Sequence, residues 1–267
     1  MSPHAQFSYC QVRLQARYAA LPGETDWQRL AGARTLAAYL EEARTGQLQS
    51  WVKGFSAQST GHDLELGLRT LAADLADEAA GWVPAPWRAA VAWGAWLPYL
   101  PVLGYLAPGP GGPDPITDRP PHCPRAGAAA DLRYRALLDA GAVPDLAARG
   151  WAGPLPDADQ PARVATRWAE GWRARWPTCD RSCRQDLEAL AERVTEHLRA
   201  FRQASPGTAW DLRRTLRERL RLDFHRHLLA PVTVFIYLTL VLLDLERLRA
   251  ELLRRALFPL RQAAADA

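Results

Sequence analysis

Tyr237-Leu238-Thr239-Leu240-Val241-Leu242-Leu243-Asp244-Leu245-Glu246-Arg247-Leu248-Arg249 turns from an uncharged apolar run into a highly charged amphipathic one within a few residues. A helix leaving a buried setting reads this way, since full burial excludes charge all round and partial burial excludes it only from one face. The run from Leu228 to Leu243 lacks charge over 16 residues, but it contains Pro231. It also falls short of the roughly 20 residues expected of a membrane-spanning helix. The expectation is a core helix, with Pro231 kinking or dividing the final long pair. Arginines flank the run on both sides, Arg226 before it and Arg247 and Arg249 after, so charge asymmetry sets no topology.

Helical spacing extends over most of the remaining chain. Thr25 and Gln28 form a capping-box pattern ahead of Leu30, Ala33, Ala37 and Leu40, with Gly46 as a stop. Thr60 and Asp63 open a helix whose Leu64, Leu68, Leu71 and Leu75 recur at four- and three-residue steps before Gly81. A further helix is expected from Pro84 to Leu97, with prolines in its first turn and Pro98 at its end. Later helices are expected around Asp131 to Ala140, from near Pro161 with Ala165, Trp168, Trp172 and Trp176 on one side, and through Leu187, Leu190, Val194, Leu198 and Phe201. Ser205-Pro206-Gly207 reads as a turn, and Thr208 with Asp211 as the start of the last pair. No stretch alternates strictly between apolar and polar residues, so strands are not needed. The expected fold is all-α, with about nine helices packed as bundles.

Between Ala107 and Gly127, 11 of 21 residues are proline or glycine, a composition that sustains neither helix nor sheet interior. Residues 1–106 and 128–267 are therefore expected as two helical parts that pack together, joined by a loop or linker at 107–127. From Trp82 to Leu106 the chain is dense in amphipathic rings (Trp82, Trp87, Trp93, Trp96, Tyr99, Tyr105), which favours an aromatic core corner over a partner contact or a membrane surface.

A chain of 267 residues with 48% hydrophobic content can bury a substantial core. Its net charge of +4 is mild, and acidic residues lie among the arginines, so no uniformly basic tail announces nucleic acid. Even Arg213, Arg214, Arg217, Arg219, Arg221 and Arg226 wrap around their helix, with Asp211, Glu218 and Asp223 between them and an apolar seam at Leu212, Leu216, Leu220, Phe224 and Leu228. The N-terminus has no apolar core behind a charged start, and four scattered cysteines make no disulfide framework, so the expected compartment is the cytoplasm.

Candidate chemistry is sparse. Cys179 and Cys183 could supply two soft ligands, but the other local grouping is His122-Cys123 inside the loop, and free thiols are the better reading. His225 and His227 point in different directions on a helix. No phosphate-binding loop, nucleophile elbow or His-Glu-x-x-His helix occurs, and neither a cofactor nor a metal is expected.

Tyr237, Asp244, Leu248 and Arg249 resemble the closing helix of the C subunit of vacuolar/archaeal-type rotary ATPases, called subunit d in eukaryotes. There a tyrosine is followed seven residues later by an acid and then by Leu-Arg. Tyr9-Cys-Gln-Val-Arg13-Leu-Gln-Ala-Arg17 resembles that family's opening helix, and Trp27 to Leu40 is compatible with its second. The similarity covers about a third of the chain, at its two ends. Val241 stands where the family usually has a charged residue, and the chain is shorter than family members. The resemblance implies a non-catalytic, funnel-shaped helical subunit between the rotor stalk and the proteolipid ring, at the cytoplasmic face of the membrane. It marks Tyr9, Arg13, Arg17, Tyr237, Asp244 and Arg249 as partner-binding candidates, with surface exposure or intramolecular ion pairing as their alternative. Two other classes stay open: a membrane-associated helical adaptor, and an all-α enzyme using residues such as His62, Asp63 and Glu65.

Overall fold

The structure, a computed structural model, describes residues 3–100 and 164–258. The expected linker at 107–127, the helix at 131–140, Tyr105, Cys123 and the start near Pro161 lie outside the described residues. Within them the chain is all-α, as expected.

Helix α1 (Pro3–Ala19) buries Phe7, Cys10 and Leu14, one stripe at three- and four-residue spacing, and leaves Tyr9 and Val12 exposed. The helix expected through Leu30 and Leu40 is two helices, α2 (Glu24–Ala31) and α3 (Leu36–Arg44). Thr35 is the reason: its side chain accepts the Ala38 N–H at 3.2 Å and starts a new helix just after Gly32. The capping box of α2 is also displaced from Thr25, because Asp26 reaches back to the Gly23 N–H at 2.9 Å. A single turn, α4 (Gln49–Val52), precedes α5 (Gly61–Trp82). There the capping box appears as read: Thr60 Oγ1 accepts from Asp63 N–H at 3.2 Å, and the Asp63 carboxylate accepts from Thr60 N–H at 2.8 Å. The buried face of α5 starts with Leu64 and Leu68 but continues through Ala72, Ala76 and Ala79, leaving Leu71 and Leu75 half-buried. These small side chains let neighbouring helices approach closely.

The helix expected from Pro84 to Leu97 is instead a 3₁₀ turn (Ala85–Trp87), a short α6 (Arg88–Ala92) and a 3₁₀ segment (Trp93–Tyr99) containing Pro98. In 3₁₀ geometry side chains three apart eclipse one another. Trp93, Trp96 and Tyr99 thereby form a ladder, with ring centroids 6.1 and 5.8 Å apart. Helix α7 (Val164–Arg173) meets this ladder through paired indoles. Trp93 Nε1 donates to the Trp168 carbonyl at 3.0 Å, and Trp168 Nε1 donates to the Trp93 carbonyl at 3.4 Å. Trp176 lies past the end of α7 yet is buried beside Trp172, their rings 5.0 Å apart.

Helix α8 (Arg181–Gln203) is capped by Asp180, and α9 (Pro206–Arg226) by Ser205 rather than by Thr208 and Asp211. Ser205-Pro206-Gly207 is thus a helix start with proline in its first turn, not a separate turn. Pro231 divides the last pair as expected, and α10 runs from Val232 to Leu257. In the connection Leu229 adopts φ 64°, in the left-handed region, while its N–H donates to Gln11 Oε1 of α1 at 2.9 Å.

Every residue from Val232 to Val241 is buried, and α10 packs most extensively on α5 and α9. The charged half does not leave the core as the sequence pattern implied, since Asp244, Leu245, Leu248, Leu252 and Arg255 stay buried along one face. Both aromatic-rich and apolar regions join this one core, including Trp82, Trp87, Trp93, Tyr99 and Phe235.

Gly171 on α7 is set by this packing. A Cβ there would lie 2.7 Å from the Trp93 ring, which its indole hydrogen bond holds in place. Gly171→Ala should gain about 1 kcal/mol of helix propensity. Overpacking should cost about 1–3 kcal/mol. Chemical denaturation is expected to show a net loss of stability, and an unchanged midpoint would exclude the clash.

Candidate functional site

The six motif residues fall on α1 and α10, and α5 meets four of them, Arg13, Arg17, Tyr237 and Arg249. Glu78, near the C-terminal end of α5, accepts a hydrogen bond from Arg17 and lies 3.7 Å from Arg13. The Arg13 guanidinium is 5.5 Å from the centre of the Trp82 ring, whose other neighbour is Tyr237 at 6.2 Å. Tyr237 is buried, and that burial pushes its phenol up to about 12. Near the other end of α5, Glu65 accepts the Arg249 Nε–H at 2.8 Å and a second bond from Arg249 Nη2. Positions 65 and 78 are 13 residues apart, a span of about 20 Å along a helix. Tyr9, Arg13 and Arg17 are exposed, Tyr9 with 62% of its surface accessible.

Asp244 is the most deeply buried of these groups, at 1% exposure. Arg217 of α9 meets it with a fork, Nε to Oδ1 at 2.9 Å and Nη2 to Oδ2 at 3.1 Å, and Nη2 also donates to the Pro22 carbonyl at 2.8 Å. Burial raises the Asp244 carboxyl to about 6, and the Arg217 charge opposes that rise.

Three further arginines complete the closure, and the motif search missed all of them. Arg247 makes a forked bond to Glu24 at 2.7 and 3.0 Å and lies 4.7 Å over the Trp27 ring. Arg255 is buried at 3% exposure and donates to the carbonyls of Ala33 at 2.9 Å and Leu30 at 3.4 Å. Its charge is paired with Glu251 one turn earlier on α10, and the two carbonyls lie at and just after the end of α2. Arg213 of α9 pairs with Glu246 at 3.1 Å and stacks 4.2 Å over Phe201. The arginines of α9 are accordingly not all solvated: Arg213 and Arg217 turn inward, while Arg221, which donates to Tyr18 Oη at 3.2 Å, and Arg214, paired with Asp211 at 2.9 Å, stay exposed. The recoverable signal for Asp244 and Arg255 was a charge at a core position of the apolar stripe. Their partners carry no such mark.

Asp63 caps α5, Glu65 pairs with Arg249, and His62 is exposed. Cys179 precedes α8 and Cys183 lies in its first turn, so they do not share a helical face, though their thiols are within hydrogen-bonding reach and burial holds Cys183 well above the ordinary thiol range. Cys10, Cys179 and Cys183 are free thiols. His225 packs edge-on against Tyr18, and His227 lies 3.4 Å from Asp186. Among the described residues no group of three His, Cys, Asp or Glu side chains could hold a metal ion. An open cavity of about 140 Å³ lies between α5, the 93–99 segment, α8, α9 and α10, with His197, Arg213 and Glu246 its ionisable lining.

Comparison with protein-family models, curated proteins and solved structures returned no match.

The Arg217–Asp244 pair yields a prediction with a definite sign. A buried carboxyl whose pKa is raised by folding stabilises the native state below its ordinary value near 4, and that contribution is lost as pH rises through about 6. Arg217→Ala removes the opposing charge and raises the carboxyl further. At pH 8 the unpaired carboxylate should cost about 3–5 kcal/mol relative to wild type. At pH 4.5, with Asp244 protonated, the deficit should be clearly smaller. Urea denaturation of both proteins at both pH values checks this, and a pH-independent deficit would contradict it.

Proposed function

We propose that the chain is a non-catalytic coupling subunit of a vacuolar/archaeal-type rotary ATPase. In this reading it sits at the cytoplasmic face of the membrane, joins the central rotor stalk to the proteolipid ring, and transmits torque during ion transport. The observation that carries the reading is the joining of both resembling ends through one rigid helix. Arg13 and Arg17 bind Glu78, and Arg249 binds Glu65, so α1 and α10 are fastened to α5 at two stations. Individually such partly exposed pairs contribute only about 0–1 kcal/mol. Their value to a load-bearing part lies in fixing register, while the core beneath supplies the stability.

A torque-transmitting subunit needs stiff, interlocked helices and a partner-facing surface. The ten buried residues from Val232 to Val241 supply the first requirement. Exposed Tyr9 and Val12 on α1 are candidates for the second. The adaptor alternative needs its apolar segments on an exposed surface. Burial of Trp82, Trp87, Trp93 and Tyr99 in one core with residues 232–241 speaks against it. No helix among the described residues is long and apolar enough to cross a membrane, in keeping with attachment through protein partners.

Purification of the tagged full-length chain from native membranes tests the reading directly. Proteolipid-ring and rotor-stalk subunits should come with it, and their consistent absence would end the assignment. Tyr9→Asp separates partner contact from folding. Stability should change by no more than about 0.5 kcal/mol, as for other surface positions, while recovery of the partners falls. Unchanged recovery would remove Tyr9 from the interface.

A further inference from the structure

The cavity beside α10 is apolar over most of its wall, including Leu68, Leu198, Leu216 and Leu243, and carries a small polar cluster. Leu198, Leu243 and Glu246 are only half-buried, so its mouth meets solvent. At about 140 Å³ it matches engineered apolar cavities of about 150 Å³ that admit benzene. A smaller chamber of about 20 Å³ shares Leu97, Val194 and Thr239 with it and extends toward Trp168 and Phe235. One six-membered ring with a short substituent therefore fills the available space.

The polar groups define the remainder of the ligand. Arg213 spends one nitrogen, Nη2, on Glu246 at 3.1 Å, and Phe201 and Trp210 lie 4.2 and 5.1 Å from its guanidinium carbon. Its Nε and Nη1 make no hydrogen bond among the described residues, which leaves N–H donors on a residue that lines the cavity. His197 is held toward its neutral form by burial and by the Arg213 charge. Thr239 Oγ1 already donates to the Phe235 carbonyl at 2.8 Å, so its proton is engaged. Arg213 and Glu246 cancel in charge beside a neutral imidazole. A guest anion would have to displace Glu246 or bear its repulsion, whereas an uncharged acceptor can take a free guanidinium N–H without disturbing the pair.

We infer that this cavity is a binding site for a small neutral ligand with an apolar body about one ring in size and a carbonyl-type oxygen that accepts from Arg213. The site is independent of the mechanical role proposed above. Its walls come from α5, the 93–99 segment, α8, α9 and α10, so occupancy links α8 to the central helices.

Three probes of similar shape test this on the full chain: acetophenone, ethylbenzene and benzoate. Titration followed by methyl resonances of Leu198, Leu243 and Thr239 should show saturable binding, strongest for acetophenone. Arg213→Met should weaken acetophenone roughly tenfold, the scale of one charge-assisted hydrogen bond, while ethylbenzene stays within about twofold. Leu243→Trp, at a half-buried wall position, should abolish binding of all three probes, and it decides the matter if Arg213→Met does not fold. Absence of saturable binding by wild type, unchanged binding in Leu243→Trp, or tighter binding of benzoate than of acetophenone would overturn the proposal.

Discussion

Burial of α10 against α5 and α9 is the constraint to which the other elements conform. A run of ten buried residues with no exposed side requires neighbours all round, and α1, α5, α8, α9 and the 93–99 segment provide them. At about 25 cal/mol for each Å² of apolar surface removed from water, such a helix outweighs any single polar contact in the molecule. The alanine face of α5 follows from it, as larger side chains there would hold α10 away. The most deeply buried charges are answered, Asp244 by Arg217 and Arg255 by Glu251 and the carbonyls of Leu30 and Ala33.

The ion pairs act on this packed body as locators. Hydrophobic burial is insensitive to direction, so a helix with apolar residues on every side could slide or rotate in its slot with modest loss. A forked Arg217–Asp244 bond, a forked Arg247–Glu24 bond and the Arg249–Glu65 pair each admit one register. Together they fix α10 against α9, α2 and α5, three elements far apart in the chain. Arginine suits this work because its planar fork matches carboxylate geometry.

Much of the fold was legible because local patterns agreed with the final packing. The Thr60–Asp63 box, the division at Pro231 and the burial of the apolar run from Val232 to Val241 all follow from short-range chemistry. The break between α2 and α3 was hidden because Leu30, Ala33, Ala37 and Leu40 keep helical spacing across it, while the Thr35 cap competes with continuation only by a small margin. The 3₁₀ ladder was hidden for a different reason: three-residue spacing of Trp93, Trp96 and Tyr99 satisfies either kind of helix, and contact with α7 helps decide between them. At the candidate site the motif positions were readable, but their partners were not. Glu65, Glu78 and Arg217 look like ordinary surface charges on amphipathic helices, and only tertiary placement makes them the fastening points.

The reach of Arg255 has a consequence for how the molecule assembles. It closes onto Ala33 and Leu30, more than 220 positions earlier in the chain. During synthesis the amino-terminal helices emerge long before α10, with their inner faces unmatched and no central strut to cover them. Contacts so remote carry a large loop-closure cost and lie late on the route to the native state. The early segments are thus exposed to association with other chains or with chaperones until α10 has been made and covers them.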